Sequence, residues 1–461
     1  MNKKTFRLPL DARQQVKTTF RRSKQNQGKY FRVNQSLMVL FLFMGLLAAP
    51  PASTSSNVNS GVPADANENQ GKFPTLTRSS FGMQCGTGKP TNCPNATWPT
   101  SVAQPGMIRL WDSQVQWHAL NPARGSYNWN TLDKYLDVIA AHQPRDVMYT
   151  FGYTPCWVAK APCATKWPGS GYPPNDLTAS GSPSFNAFVE ALVDHCSPAG
   201  HCVKDSIKYW EMWNEANAPH FYTGTVPQLY SLMAPAIAIV RKKVSGAVVL
   251  TPPVMRADSD WMQDWMKEED SHGRLSDIFS FHLYLLDKTP EERFGMVKKI
   301  VDMKNHVAGW SNMPWMDGET NFDPVNYLCS SKYAPEDCVG QVVRWHLLHF
   351  GYGAMQVSWF YFNTTIGRNP DYATAYKTMM DWLVGGHFTA ECTAKGDVYS
   401  CPFIQANGHH AMFVWSVNGK GKFVPSGEYV DFKDLDGNTA KVSSGQPAPI
   451  GVKPIMVEAA N

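Results

Sequence analysis

Tyr209-Trp210-Glu211-Met212-Trp213-Asn214-Glu215 reads as a short apolar strand ending on an Asn-Glu pair, and Ala216-Asn217-Ala218-Pro219 turns the chain immediately afterwards. A carboxylate at the exit of a buried strand is held by rigid walls while a loop admits a ligand. Pro314-Trp315-Met316-Asp317-Gly318-Glu319-Thr320 repeats the arrangement further along the chain. Around these two stretches, strand-like segments are expected at Ser80–Gln84, Gly106–Trp111, Val147–Tyr153, Ile207–Glu215, Ala247–Val254, Ile278–Leu285, Trp315–Thr320 and Ala354–Phe362. Helical periodicity fills the intervals at Asn130–His142, Ser184–His195, Val226–Val244, Ser259–Glu268, Glu291–Val307 and Glu336–Phe350, and again at Tyr372–Leu383. Such alternation is α/β and fits a (β/α)8 TIM barrel better than an open doubly wound sheet. No Gly-x-Gly-x-x-Gly turn follows the first strand, which weighs against a nucleotide-binding fold.

After Gly385-Gly386 the pattern changes. His410–Val417 alternates, Glu428–Phe432 and Gly451–Val457 are strand-like, and Gly, Asn and Pro turns separate them, so residues 387–461 are expected to form a small C-terminal all-β domain, a β-sandwich. Residues 73–386 then make the barrel, and the Ser/Asn/Gly-rich residues 53–72 a flexible linker.

Residues 1–36 carry ten Lys/Arg against the single acid Asp11; the formal net charge of +4 therefore leaves −5 for the rest of the chain. That mild acidity does not suggest nucleic acid or an anionic membrane surface as a partner. Leu37–Ala49 is thirteen apolar residues between basic and small ones, too short to span a bilayer and laid out like a secretory signal peptide over residues 1–52. A start nearer Met38 and an uncleaved signal anchor are the alternative readings. All ten cysteines follow this run as five close pairs: Cys85/Cys93, Cys156/Cys163, Cys196/Cys202, Cys329/Cys338 and Cys392/Cys401. None forms a Cys-x-x-Cys motif, so local disulfides in a secreted or periplasmic protein are expected rather than metal sites. Asn95-Ala96-Thr97 and Asn363-Thr364-Thr365 are glycosylation sequons, relevant in a eukaryotic host.

In a parallel barrel, catalytic groups sit at the C-terminal strand ends. Strict alternation puts Tyr209, Glu211, Trp213 and Glu215 on one face, with Glu211 some 13 Å deeper than Glu215 at about 3.3 Å per residue. Glu211 is then a buried structural carboxylate paired with Arg or Lys, and Glu215 the residue at the mouth. Glu319 takes precedence over Asp317 by the same argument. Two such carboxyls, one protonated and one ionised, are what cleavage of a glycosidic bond requires. Arg109 can keep one of them ionised, His282 and Tyr284 offer an imidazole and a phenol, and Trp359 offers an indole face for stacking on a sugar.

On these residues the chain resembles the clan A glycoside hydrolases, whose acid/base follows strand four and whose nucleophile follows strand seven. The resemblance implies that Glu215 is the acid/base, that Asn214 holds the 2-hydroxyl of the sugar and that Glu319 is the nucleophile. Arg109, Tyr284 and Trp359 fall near the strand-two Arg, strand-six Tyr and strand-eight Trp. Arg109-Leu110-Trp111-Asp112 and Asn121-Pro122-Ala123-Arg124-Gly125-Ser126-Tyr127-Asn128-Trp129 resemble the opening of family 39-like and family 5-like members, and a C-terminal β-domain fits family 39-like architecture. Two departures stand out: Gly318 precedes Glu319 where relatives often carry Thr, and strand three ends in Phe151-Gly152-Tyr153 rather than in a His. The implied activity is retaining hydrolysis of a carbohydrate without a cofactor; an inactive carbohydrate-binding barrel and a transglycosylase are the rival readings. Trp111, Trp117, Trp157 and Trp167 are candidate stacking subsites, although most tryptophans of so large a domain belong to its core. His346/His349 and His409-His410 are read as packing or surface residues, since neither pair has a third metal ligand nearby in sequence.

Overall fold

The computed structural model describes residues 72–84, 103–142, 146–161, 163, 169–324, 328–362, 365–367, 369–425, 429–441 and 445–459. The expected signal segment, nearly all of the linker, the Cys85/Cys93 pair, the Asn95 sequon, most of the Asn363 sequon and Trp167 lie outside them.

Eight parallel strands form one sheet: β1 (Phe81–Gln84), β2 (Met107–Leu110), β3 (Asp146–Thr150), β4 (Tyr209–Glu211), β5 (Val248–Leu250), β6 (Phe279–His282), β7 (Trp315–Thr320) and β8 (Gln356–Phe360). Their order is β5-β4-β3-β2-β1-β8-β7-β6, and isolated parallel bridges Leu250↔Ile278 and Met255↔His282 join the chain at and just after β5 to the chain at β6 and just before it. The expected barrel is thereby closed.

Among the described residues, seven helices of twelve residues or more pack outside it: α1 (Asn130–Ala141), α2 (Pro183–Asp194), α3 (Val226–Lys243), α4 (Ser259–His272), α5 (Pro290–Asn305), α6 (Pro335–Phe350) and α7 (Pro370–Leu383). Their starts are written in the sequence. Thr225 with Gln228 and Thr289 with Glu292 form capping boxes, and Ser182, Asp258 and Asn369 accept hydrogen bonds from first-turn amides. Proline stands at the first position of α2, α5, α6 and α7, one or two residues ahead of the expected starts, because a helix makes no use of the missing N–H there.

Side-chain alternation sorts each strand between two cores. Ile108, Val147, Tyr149, Trp210, Phe279, Phe281 and Val357 face the helices. Met107, Met148, Tyr209, Leu250, Ile278 and Met316 fill the barrel as an apolar floor. Two residues further along four of these strands, on the same inward face, come Arg109, Thr150, Glu211 and Ser280, all buried. The barrel is thus dry at its base and polar toward its mouth.

The C-terminal strands form one antiparallel sheet, β9 (His387–Phe388), β10 (Thr393–Lys395), β11 (Val398–Ile404), β12 (His410–Ser416), β13 (Tyr429–Lys433), β14 (Thr439–Lys441) and β15 (Ile455–Ala459). The order is β9-β11-β12-β15-β13-β14, with β10 on β11. Sequence reading anticipated only the strands at β12, β13 and β15. Those it missed are two- or three-residue pieces too short to show a period, or, like β11, interrupted by Pro402. Trp382 of α7 stacks on Phe413 with centroids 6.0 Å apart, and the Trp415 indole donates to Glu291 Oε1 of α5 over 2.8 Å, which fixes the sheet to the barrel. Disulfides Cys156–Cys163, Cys196–Cys202, Cys329–Cys338 and Cys392–Cys401 follow the expected local pairing. Among the described residues no helix is long and apolar enough to cross a membrane.

Candidate active site

A break in strand regularity brings each glutamate to the mouth. In β7, Trp315 faces outward and Met316 inward, so strict alternation would send both Asp317 and Glu319 outward. The register against β6 instead slips between Phe281↔Asp317 and His282↔Glu319, and the register against β8 slips at the same place. This bulge at Gly318 leaves Asp317 outside, with its Oδ2 within 3.3 Å of His349 Nε2 on α6, and turns Glu319 inward. Asp317 and Glu319 were expected to differ only in depth; they lie on opposite sides of the wall.

Gly318 is the residue that permits the bulge. A Cβ there would lie 2.8 Å from Ser280 Oγ, 3.1 Å from Glu211 Oε1 and 3.3 Å from His282 Nε2. Its departure from the Thr of relatives is thus matched by the polar groups packed beneath it. Gly318→Thr is expected to cost about 1–3 kcal/mol by overpacking and to lower kcat by displacing His282; thermal melts and rates on one aryl glycoside would check both.

The strand β4 ends at Glu211 rather than at Glu215. Beyond it the Trp213 N–H returns to Glu211 O (2.9 Å), and Trp213 and Glu215 take left-handed φ values of 76° and 41°. Non-glycine residues in that region carry strain, which recurs at functional sites. The coil cancels the expected 13 Å offset. Glu211 and Glu215 flank one imidazole: His282 Nδ1 lies 3.0 Å from Glu215 Oε1, and His282 Nε2 lies 3.8 Å from Glu211 Oε1. Trp213 leaves the expected common face and packs outside the barrel, its indole donating to Phe221 O.

Arg109, wholly buried, joins these groups. Its Nη1 donates to Glu319 Oε2 and Gln84 Oε1 (both 2.5 Å), its Nη2 to Glu211 Oε2 (2.5 Å) and Asn214 Oδ1 (2.8 Å). Tyr284 Oη donates to Glu319 Oε1 over 2.5 Å, so both oxygens of that carboxylate are held. Burial by itself would raise the Glu211 pKa, but the Arg109 charge, the His282 ring and the Thr150 hydroxyl hold it below the ordinary carboxylate range. For His282, burial opposes the charge; the nearby Glu319 and the contacts with Glu211 and Glu215 prevail and raise its pKa to about 9.

That shift has a measurable consequence. A histidine whose pKa rises from about 6.5 to about 9 on folding contributes stability that is complete below pH 6.5 and is lost as the pH climbs through 9. Urea unfolding at pH 6 and pH 9.5 is expected to show a steeper fall for the native chain than for His282→Gln.

Trp359 does not join the cluster. It faces the helices, fully buried, stacked on His346 (22° between planes) with its indole donating to Thr365 Oγ1. Its neighbour Phe360 meets the Tyr284 ring edge-on at 6.2 Å and occupies the place expected for it. Trp117 is likewise core, packed on Phe185 and Phe188. Trp157 donates to Asn121 O and lies under Arg124. Trp111 stacks on Tyr153 (5.4 Å, 28°), with Phe221 edge-on. The Gly152 departure makes room for that ring, since a Cβ at Gly152 would lie 2.6 Å from it. Asp112, inside the quoted Arg109-Leu110-Trp111-Asp112 run, was given no role from sequence. Burial, then the charges of Glu319 and Glu215, raise its pKa to about 7 despite Arg109.

One atom each from Glu215, His282 and Glu319 lie within 4.8 Å of one another, the one such grouping of possible metal ligands among the described residues. Each is already engaged, Glu319 by Arg109 and Tyr284, His282 and Glu215 by one another. A cation would have to displace those bonds.

No protein-family model matches the chain, and no curated protein sequence matches it. Solved structures do. A family 39 glycoside hydrolase from the gut symbiont Bacteroides cellulosilyticus WH2 superposes with a TM-score of 0.60 at 16% identity, over 84% of this chain and 83% of that one. A GH39 β-xylosidase from Caulobacter crescentus gives 0.54 at 13% identity over 84% and 98%, and the catalytic domain of GH30 xylanase C from Talaromyces cellulolyticus 0.55 at 10% over 85% and 98%. The likeness is one of fold. These neighbours are clan A glycoside hydrolases, the group whose pattern the sequence resembles.

Proposed function

We propose that this chain is a retaining glycoside hydrolase, with Glu319 as nucleophile and Glu215 as acid/base. The observation that carries the reading is the approach of the two carboxylates within 4.8 Å across the barrel mouth. Retaining enzymes hold the pair at about 5–5.5 Å, inverting enzymes at about 6.5–9.5 Å to leave room for a water. The contacts agree. Arg109 and Tyr284 hold both oxygens of Glu319, which suits a fixed nucleophile, and Glu215, held among the described residues only by His282, is left for the acid/base role.

In the first step Glu319 attacks the anomeric carbon as the glycosidic bond breaks, and Glu215 gives its proton to the departing oxygen. In the second, Glu215 removes a proton from water, the water oxygen bonds to the anomeric carbon, and the bond to Glu319 breaks. Arg109 and Tyr284 hold Glu319 in one orientation, and His282 holds Glu215. Asn214, whose amide oxygen is taken by Arg109, keeps its NH2 for the 2-hydroxyl of the sugar. Residues 73–386 are proposed as the catalytic barrel and 387–461 as an accessory β-domain. The four disulfides among the described residues suit a secreted or periplasmic protein, exported by the residues 1–52 signal.

The test is a screen of 4-nitrophenyl β-xyloside, β-glucoside and α-L-arabinofuranoside with oligosaccharides, followed by a 2-deoxy-2-fluoro analogue of whichever is cleaved. Retained configuration in the first product, and mass added to the peptide bearing Glu319, are expected. An inverted product, or label on another residue, overturns the assignment. Sugar binding that survives Glu319→Ala, without turnover by the native chain, would favour the carbohydrate-binding reading.

A further inference from the structure

Asp112 lies two residues past the end of β2, in a bend closed by the left-handed Gln114 (φ 55°) and by Gln116 Nε2 donating to Trp111 O over 2.5 Å. The bend holds it beside the Trp111–Tyr153 stack, close enough to act electrostatically on Glu215, Glu319, Tyr153 and Tyr284. The neighbouring carboxylates all have donors or cations: Glu211 has Arg109 and Thr150, Glu319 has Arg109 and Tyr284, Glu215 has His282 and Asp317 has the Leu283 amide. Asp112 receives no hydrogen bond from any described residue. The residue as a whole keeps partial exposure, so an incoming molecule can reach it. A carboxylate drawn out of water and given no donor weakens the fold. A bound ligand that brings donors relieves that cost.

We infer that Asp112 is a specificity-determining residue of the proposed site, accepting hydrogen bonds from ring hydroxyls of the sugar seated against Glu319. The two carboxylate oxygens match two hydroxyls on adjacent carbons. With Asn214 facing the 2-hydroxyl, the hydroxyls left for Asp112 are those farther round the ring, at positions 3 and 4. The inference rests on the glycosidase reading. It adds a demand on the substrate, an unsubstituted hydroxyl pair on the sugar that becomes attached to the enzyme. Asp112 titrates near pH 7, and the ionised form is the better acceptor, so binding should tighten as the pH rises through that value.

The experiment uses the aryl glycoside that the native chain cleaves, with its 3-deoxy and 4-deoxy forms, on native protein, Asp112→Ala and Asp112→Asn. Native protein should lose roughly 10- to 100-fold in kcat/KM on at least one deoxy substrate. Asp112→Ala should lose a similar factor on the parent, mainly in KM, and treat parent and deoxy forms alike within about threefold. Asp112→Asn should recover part of the discrimination and show a KM independent of pH between 6 and 8. The melting temperature of Asp112→Ala should not fall, since no hydrogen bond within the protein is removed. Unchanged parent-to-deoxy ratios in Asp112→Ala, or a lowered melting temperature, overturn the inference while leaving the glycosidase reading intact. Absence of cleavage by the native protein, or full activity in Glu319→Ala, overturns both.

Discussion

Glu319→Ala is expected to lower kcat/KM on an activated aryl glycoside by roughly 10⁴- to 10⁶-fold, the scale seen when a nucleophile is removed. The fold should survive, because the side chain sits at the mouth and is not wholly enclosed (7% exposed). Its loss does leave Arg109 one acceptor short, so a modest change in melting temperature is anticipated. Azide then distinguishes the two glutamates. In Glu319→Ala it occupies the vacated space, attacks the anomeric carbon once and gives a glycosyl azide of inverted configuration. In Glu215→Ala the glycosyl-enzyme still forms, and azide attacks it from the opposite face with net retention. Glu215→Ala should cost about 10²- to 10⁴-fold, the usual range for acid–base assistance, and less with a good leaving group that needs no proton. Products of swapped configuration would exchange the two roles.

Arg109→Met should have the largest effect on stability. The guanidinium is fully buried and makes its hydrogen bonds to Glu211, Glu319, Gln84 and Asn214 at 2.9 Å or less. Removing one member of a buried ion pair leaves the other charge uncompensated, at a cost of about 3–5 kcal/mol. Arg109→Met/Glu211→Gln removes a positive and a negative charge together. Urea unfolding should therefore place the double variant well above the single one. Activity should remain low in both, because Glu319 has lost its anchor. A single variant as stable as the native protein would mean that water replaces the guanidinium, and the buried-charge argument for Arg109 would fall with it.

The barrel was legible in the sequence because its signals are local and redundant. Each helix combines an apolar period with a start signal such as Ser182, Thr225 or Thr289, and the eight strand candidates fell in chain order. The segments bearing Arg109, Asn214, Glu215, His282, Tyr284 and Glu319 were also legible, and the structure brings these side chains together. Irregularities were not. An ideal strand through Ile207–Glu215 misplaces Trp213 and sets Glu211 and Glu215 far apart, because left-handed turns at Trp213 and Glu215 carry no compositional mark. The same idealisation gave Trp359 a place in the cleft, whereas Phe360 meets Tyr284. Gly318 was the visible clue to the β7 bulge, noticed as a departure but without its geometric meaning. Asp112 was visible too, yet its missing partner is a property of space that no linear pattern records.

The bulge at Gly318 makes the wall of the barrel a matter of parity. One extra residue in the hydrogen-bonding frame separates an acid that braces the outer helices from an acid that faces the cleft. Closing the bulge without changing the length of the strand would restore even alternation and send Glu319 toward α6, whereas deleting the one extra residue would keep Glu319 facing the cleft. A side chain at 318 that irons out the bulge would therefore turn the acid away from the cleft without touching it. Comparisons that slide it by a single position would pair the helix-bracing Asp317 with a cleft residue of another protein.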